Sequence, residues 1–281
     1  MRTIYLKTKL FTGFSFLIFS INSCDSFVEV DLPKSQLTNT VVFEDYATAT
    51  AVLTDIYSKI RDKGILTGSN TGVSNQLGNY TDEIVCYGTP ANPSLPFYNN
   101  QLLATTPGIT EYWNSTYNQI YAANSVIEGV TTNIKLSPEN INQLRGEALF
   151  IRGLLHFYLT NLFGEIPYIK QTDYKINSVA GRMSTDEFYQ NIIQDLEKAV
   201  ELLPDNFSSM ERIRPNKLVA RALLARVYLY QKLYPQAANE ASLILNQTTL
   251  FNLEANINNV FLIASKETIW QLKSAAAGRN T

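Results

Sequence analysis

Histidine occurs once in the 281 residues, cysteine and tryptophan twice each, and methionine three times. A single histidine, His156, excludes a metal centre built on histidines, and it has no neighbouring nucleophile or second ligand with which to act. No nucleophile elbow or zinc motif is present either, so an exported hydrolase is the weakest of the functional classes open to the chain, and neither a cofactor nor a metal is expected. If Cys24 is consumed by acylation, only Cys86 remains and no intramolecular disulfide is possible, so stability has to come from packing. Charge is also sparse: 17% of residues carry it, and the net charge is −2. Loss of Arg2, Lys7 and Lys9 with a leader would take this to −5, the opposite of the basic stripe that nucleic acid requires. The most apolar stretch, Leu10–Ile21, would rise about 18 Å as a helix, too short for a hydrocarbon core of about 30 Å.

What is present begins with that stretch. A basic n-region, an apolar h-region and Ile21-Asn22-Ser23-Cys24 follow the pattern of a bacterial lipoprotein signal, with an apolar residue three before the cysteine. The other reading is an ordinary secretory signal beside which Cys24 merely falls, and Asn22 fits the lipoprotein pattern less well than a small residue would. The expectation is therefore a signal peptide over residues 1–23, a lipid on Cys24, and a polar tether over 24–40. The whole chain is 45% hydrophobic and rich in Tyr (16) and Phe (14), enough for the remainder, 41–281, to fill a core.

Helical periodicity dominates that body. Phe43, Ala47, Ala51, Ile56, Tyr57 and Ile60 predict a first helix within Val41–Lys63, stopped by Gly64. Trp113, Tyr117, Ile120, Tyr121, Asn124 and Ile127 predict a second over Glu111–Val130. Ser137-Pro138 reads as a cap and first helical position, opening a third helix that runs to Phe163 before Gly164 and Pro167. Ser184 and Glu187 have the spacing of a capping box, and the fourth helix it opens ends at Pro204. Pro215 to about Lys232 and Pro235 to about Asn246 give the fifth and sixth. Leu224, Ala225, Tyr228, Tyr234 and Ala237 within that pair repeat the spacing of a tetratricopeptide helix hairpin, with tyrosines filling the gap between helices. Arg221 and Ala241 depart from it. Glu267–Leu272 reads as a short strand with no partner, which suggests the front part of a longer protein. From Gly64 to about Pro107 the periodicity vanishes, and an irregular stretch of that length is usually functional.

Leu144-Arg145-Gly146-Glu147-Ala148-Leu149-Phe150-Ile151-Arg152-Gly153, leading through His156-Phe157-Tyr158 to Phe163-Gly164-Glu165-Ile166-Pro167, together with the lipoprotein cysteine, Asp82-Glu83 and the Trp113/Tyr117/Ile120/Asn124 helix, resembles the N-terminal half of the RagB/SusD family. The resemblance covers essentially the whole chain. It implies an all-α body with tetratricopeptide-like hairpins, held at the surface of the outer membrane by its lipid. It also implies capture of an oligosaccharide or peptide, delivery to a TonB-dependent (SusC-like) transporter, and no catalysis. Gly146 and Gly153 stand where the family more often has alanine, which would loosen the helix by about 1 kcal/mol each.

The residues themselves leave two classes open: a binding protein for nutrient oligomers, and an exported helical scaffold that holds a protein partner and no small ligand. The irregular stretch offers Asn79, Tyr80, Asp82, Tyr87 and Tyr98 as ligand-binding candidates, because sugars take aromatic faces together with carboxylate and amide groups and loops on a rigid body carry binding disproportionately. Asp82 and Glu83 also have a structural alternative, fixing the loop to the body. Glu147 and Arg152, with Arg145, read as structural charges needing partners, not as a ligand clamp. His156 reads as a packing residue and Cys86 as a small buried hydrophobe. Asp186 and Glu187 serve a helix start, and neighbouring carboxylates do not make a glycosidase pair. The acceptor patterns at Asn114 and Asn246 fall inside predicted helices and are set aside.

Overall fold

The computed structural model describes residues 42–132 and 135–274. They belong to a unit spanning Asn39–Thr281; the unit Met1–Thr38, with the expected leader and Cys24, and the remainder of the tether lie outside the described residues.

Among the described residues the regular elements are all helical: α1 Tyr46–Asp62, α2 Val73–Tyr80, α3 Leu95–Tyr98, α4 Pro107–Thr131, α5 Pro138–Phe163, α6 Tyr174–Asn177, α7 Thr185–Leu202, α8 Lys217–Tyr230 and α9 Tyr234–Leu245, with a 3-10 turn at Ile257–Asn259. The six long helices are the six that periodicity predicts, and their ends follow the local chemistry. Asp45 opens α1 by accepting from the amides of Ala47 and Thr48 at 2.9 and 3.0 Å. Ser137 Oγ accepts from Asn140 N at 3.2 Å and Pro138 takes the first helical position of α5. Ser184 accepts from Glu187 N at 3.4 Å at the start of α7, and Asn216 from Val219 N at 3.1 Å at the start of α8. Gly64 (φ +81°) and Gly164 (φ +74°) follow α1 and α5 in a region that suits glycine alone.

Each long helix packs on the next. α1 lies on α4, α4 on α5, α5 on α7, α7 on α8 and α8 on α9, while α5 also meets α1 and α8. Central α5 is therefore buried almost all round from Gly146 to Phe157. A Cβ on Gly146 would lie 2.9 Å from Leu203, and one on Gly153 3.0 Å from Leu196. These glycines let α7 and its C-terminal end approach α5, so the loosening that their helix propensity suggests gives way to a closer interface. In the α8–α9 hairpin Leu224, Tyr228 and Ala237 are buried as predicted, but Tyr234 is exposed, so only one of the two tyrosines fills the gap.

Two further expectations are corrected. The stretch after Gly64 contains α2 and α3, and Glu267–Leu272 forms no strand. That segment turns at Glu267 and bends at Ile269, and side chains hold it in place. Trp270 packs edge-on against Phe150 (5.3 Å) and Tyr57 (6.2 Å) and donates from Nε1 to Ile213 O at 3.2 Å, which uses an aromatic residue of high strand propensity as a plug. Arg212 lies between the rings of Phe207 (5.3 Å) and Phe251 (5.0 Å) and donates to Leu250 O at 2.7 Å and to Thr268 O, tying three loops together.

Candidate surface and the helices that mount it

The segment from Gly64 to Thr106 is seated on the first three turns of α4. Gly64 turns the chain against Ser115, Thr116 and Gln119, where its φ of +81° would strain any side chain, and Gln119 Nε2 donates to Lys63 O at 3.2 Å. Ile65, Val73 and Phe97 enter the core. Phe97 packs on Tyr112 (6.4 Å between rings), whose hydroxyl donates to Thr71 O at 2.6 Å. Burial pushes the Tyr112 phenol above its ordinary pKa, so the hydroxyl keeps the proton it donates. Inside the segment the Gln76 amide donates to Asn70 O (3.0 Å) and Ser94 Oγ (3.1 Å), joining α2 to the approach of α3. Beyond α2, Asp82 adopts φ +63°, and Glu83 N and Ile84 N both donate to Gly78 O at 2.9 and 3.0 Å; Ile84 then covers Gly78, where a Cβ would come within 2.6 Å.

The five candidate residues divide on this framework. Tyr80, Asp82 and Tyr87 face solvent, Tyr87 with 93% of its surface open, and Tyr98 is half-buried at the end of α3. Asn79 is turned inward and donates to Asn75 O (2.9 Å) and Oδ1 (3.0 Å), so as it stands it braces α2. No side-chain hydrogen bond or ion pair involves Asp82 or Glu83 among the described residues; their carboxylates are not what fixes this segment. Leu77 and Val85 are exposed beside them in the chain. Cys86 is half-buried, not enclosed.

The buried charges of α5 do different work. Arg152 grips Asp195 of α7 with two bonds, 2.7 and 2.6 Å, and also donates to Asn124 Oδ1 (2.8 Å) and Lys170 O (3.1 Å). Tyr168 donates to the same carboxylate at 2.6 Å. His156, fully buried, stacks on Tyr168 at 3.9 Å between ring centroids; its Nδ1 lies 3.0 Å from Arg152 O and its Nε2 accepts from Ile169 N at 3.3 Å. That pattern needs a neutral ring with the proton on Nδ1. Burial first, and the Arg152 charge second, hold its pKa well below the usual histidine value. Glu147 accepts from Arg214 at 2.7 and 2.9 Å and from Tyr57 Oη at 2.7 Å, with Gln143 as a further donor. Glu147 and Arg152 thus have separate partners, each binding α5 to another part of the chain, as structural charges do. Among the described residues no group of histidine, cysteine, aspartate and glutamate is arranged to hold a metal, and no helix is long and apolar enough to cross a membrane.

A family model described as SusD-like, "Starch-binding associating with outer membrane", matches residues 27–229. The chain belongs to the SusD-like family. Among its relatives, SusD-like protein P2 of Formosa agariphila is 32% identical over 160 residues, covering 54% of this chain and 30% of that protein. SusD-like protein P25 of the same organism is 23% identical, covering 96% of this chain and 52% of the relative. A SusD superfamily crystal structure from Bacteroides vulgatus superposes with a TM-score of 0.70 at 20% identity, covering 81% of this chain and 50% of that one. A laminarin-binding SusD-like protein gives 0.66 at 24% identity, with 76% and 48% coverage. The SusD-like chain thus spans about half the length of P25 and of these solved structures, and less of P2. Its helical architecture is that of the family.

Several residues that organise this SusD-like body could not be singled out in the sequence. Asp195 and Arg214, the partners of Arg152 and Glu147, lie 43 and 67 residues away in the chain. Tyr112 carries no motif, and Gln76 is one of many polar residues inside the irregular stretch, with nothing in the sequence to mark it as the one that pins α2.

Proposed function

We propose that this SusD-like protein is a surface lipoprotein that binds a nutrient oligomer without altering it. Residues 1–23 would be removed, Cys24 would carry the lipid, residues 24–40 would act as tether, and the body from residue 41 would face outward. The captured oligosaccharide, or peptide, would pass to a TonB-dependent, SusC-like transporter. The observation that supports this most is the mounted segment Gly64–Thr106: aromatic rings at Tyr80 and Tyr87 and unpaired carboxylates at Asp82 and Glu83 stand on a framework pinned to α4. Tyrosine rings cover the CH faces of a sugar while carboxylates accept from its hydroxyls, and the buried pins spare the ligand part of the cost of ordering the loop. A tether at the membrane would raise the effective concentration of a modest-affinity site near its transporter.

Calorimetric titration of the chain against panels of oligosaccharides and of peptides tests this. Saturable binding to one panel, weakened by Tyr80→Ala and Tyr87→Ala with no product released, supports the reading; silence across both overturns it. Loss of fatty-acid labelling in Cys24→Ala tests the anchor.

A second reading, a scaffold for a protein partner, draws support from the α8–α9 hairpin, where Leu229, Tyr234 and Leu245 are exposed and Tyr230 is partly so, its ring meeting Phe157 of α5 at 5.0 Å. Co-purification of a protein that is lost on replacing Tyr230 and Tyr234, with no glycan or peptide bound, would favour it.

A further inference from the structure

The mounted segment has a charge pattern with a consequence for ligand choice. Between Lys63 and Lys135 the chain has no lysine, arginine or histidine, and its charges are Asp82, Glu83, Glu111 and Glu128. The whole candidate surface and the helix beneath it fall inside that interval. Glu111 accepts from Ser115 Oγ at 2.5 Å and Glu128 from Thr172, whereas Asp82 and Glu83, both exposed, have no side-chain partner among the described residues. The cations that precede the segment in the chain, Arg61 and Lys63, lie at the end of α1, and Arg61 is held by Asp62. At the start of α2 the amides of Gly72 and Val73 are already taken, donating to Ser69 O and Ile65 O at 3.0 Å each.

We infer that the surface selects an uncharged oligosaccharide and rejects uronate-bearing or sulfated ones. This rests on the glycan-binding reading above and narrows it. A carboxylate or sulfate on a sugar gains affinity most from arginine forks and lysines, which the segment and the helix beneath it do not contain. It meets two carboxylates instead. Neutral hydroxyl pairs, by contrast, donate to those same carboxylates, and aromatic faces are indifferent to the substituent's charge. Repulsion across several ångströms of partly screened solvent corresponds to about a tenfold affinity difference at low salt, and it shrinks as salt is raised.

The test is a matched titration: neutral β-1,3- and α-1,4-glucan oligosaccharides, the same glucans after sulfation, and oligouronates of similar length, each at low and at physiological salt. Saturable binding of a neutral glucan, about tenfold or more weakened by sulfation and partly recovered by salt, is the expected result. Sulfated or uronate chains that bind as tightly as neutral ones, with affinity falling as salt rises, would overturn the inference while leaving glycan binding intact. Absence of binding to every glycan would overturn the functional reading and this one with it. Asn99→Lys, a single cation added to an exposed position after α3, should raise affinity for the sulfated glucan severalfold and leave the neutral one unchanged; no change for either would remove the selectivity from this surface.

Discussion

Neutralising Asp195 gives the most exacting check on how the body is held together. Arg152 and Asp195 are both almost wholly enclosed, with side-chain exposures of 7% and 8%. Asp195→Asn keeps the shape and one acceptor oxygen for Tyr168 and Arg152 Nε to share, but it removes the negative charge and turns an amide NH2 toward Arg152 Nη2. Removing one partner of a buried pair costs about 3–5 kcal/mol, because the remaining charge is left desolvated and unbalanced. Against a domain stability of about 5–15 kcal/mol that is about a fifth of the total at the least. Arg152→Met alone should cost a similar amount by stranding the carboxylate. The two together should cost clearly less than their sum, by about 1.5 kcal/mol or more, since no charge then remains to strand. Urea unfolding followed by far-ultraviolet circular dichroism measures all three, and hydrogen exchange at Ile169 reports whether the 166–171 segment loosens with them. A cost below about 1 kcal/mol for Asp195→Asn, or strict additivity in the double variant, would refute the assignment of this pair as the joint between α5 and α7.

Other outcomes follow from the same geometry. His156 has a depressed pKa in the fold and about 6.5 in the unfolded chain, so the unfolded state binds more protons; stability should be full above about pH 6.5 and fall by up to about 1.4 kcal/mol per unit as pH drops below it. His156→Gln should flatten that slope in urea titrations between pH 4 and 7. Gly146→Ala and Gly153→Ala should each lower stability by about 1–3 kcal/mol through crowding with Leu203 and Leu196, although helix propensity alone would raise it; a gain in thermal midpoint would show that α7 yields easily. Tyr112→Phe removes one hydroxyl and should cost about 1 kcal/mol, with faster exchange at amides 65–73 but not in α5 or α7; unchanged exchange there would show that Phe97 and Ile65 hold the segment without it.

The long helices were legible because each repeats an apolar stripe over several turns and carries its own punctuation, such as Ser137-Pro138 before α5 and Gly164 after it. Helix α2 was not, since Val73–Tyr80 is short, polar, interrupted by Gly78 and lacks a side-chain cap; it is helical because Gln76 and Asn79 find partners inside the folded segment. Glu267–Leu272 misled for the converse reason, its β-branched and aromatic residues serving to plug a gap over Phe150 instead of pairing. At the candidate surface, the residue types were readable and the orientations were not. Asn79 and Tyr80 are adjacent in the chain, yet one braces the helix and the other meets solvent, which only the packing of α2 on its neighbours decides.

Glu147 carries a lesson about the order in which this protein is made. Its carboxylate is emitted from the ribosome well before Arg214, the guanidinium that neutralises it, and before Trp270, which roofs the aromatic wall beside Tyr57. Until those later residues emerge the acid must stay hydrated, so the nascent first half has reason to wait, loosely assembled, and to close only when its counter-ion arrives.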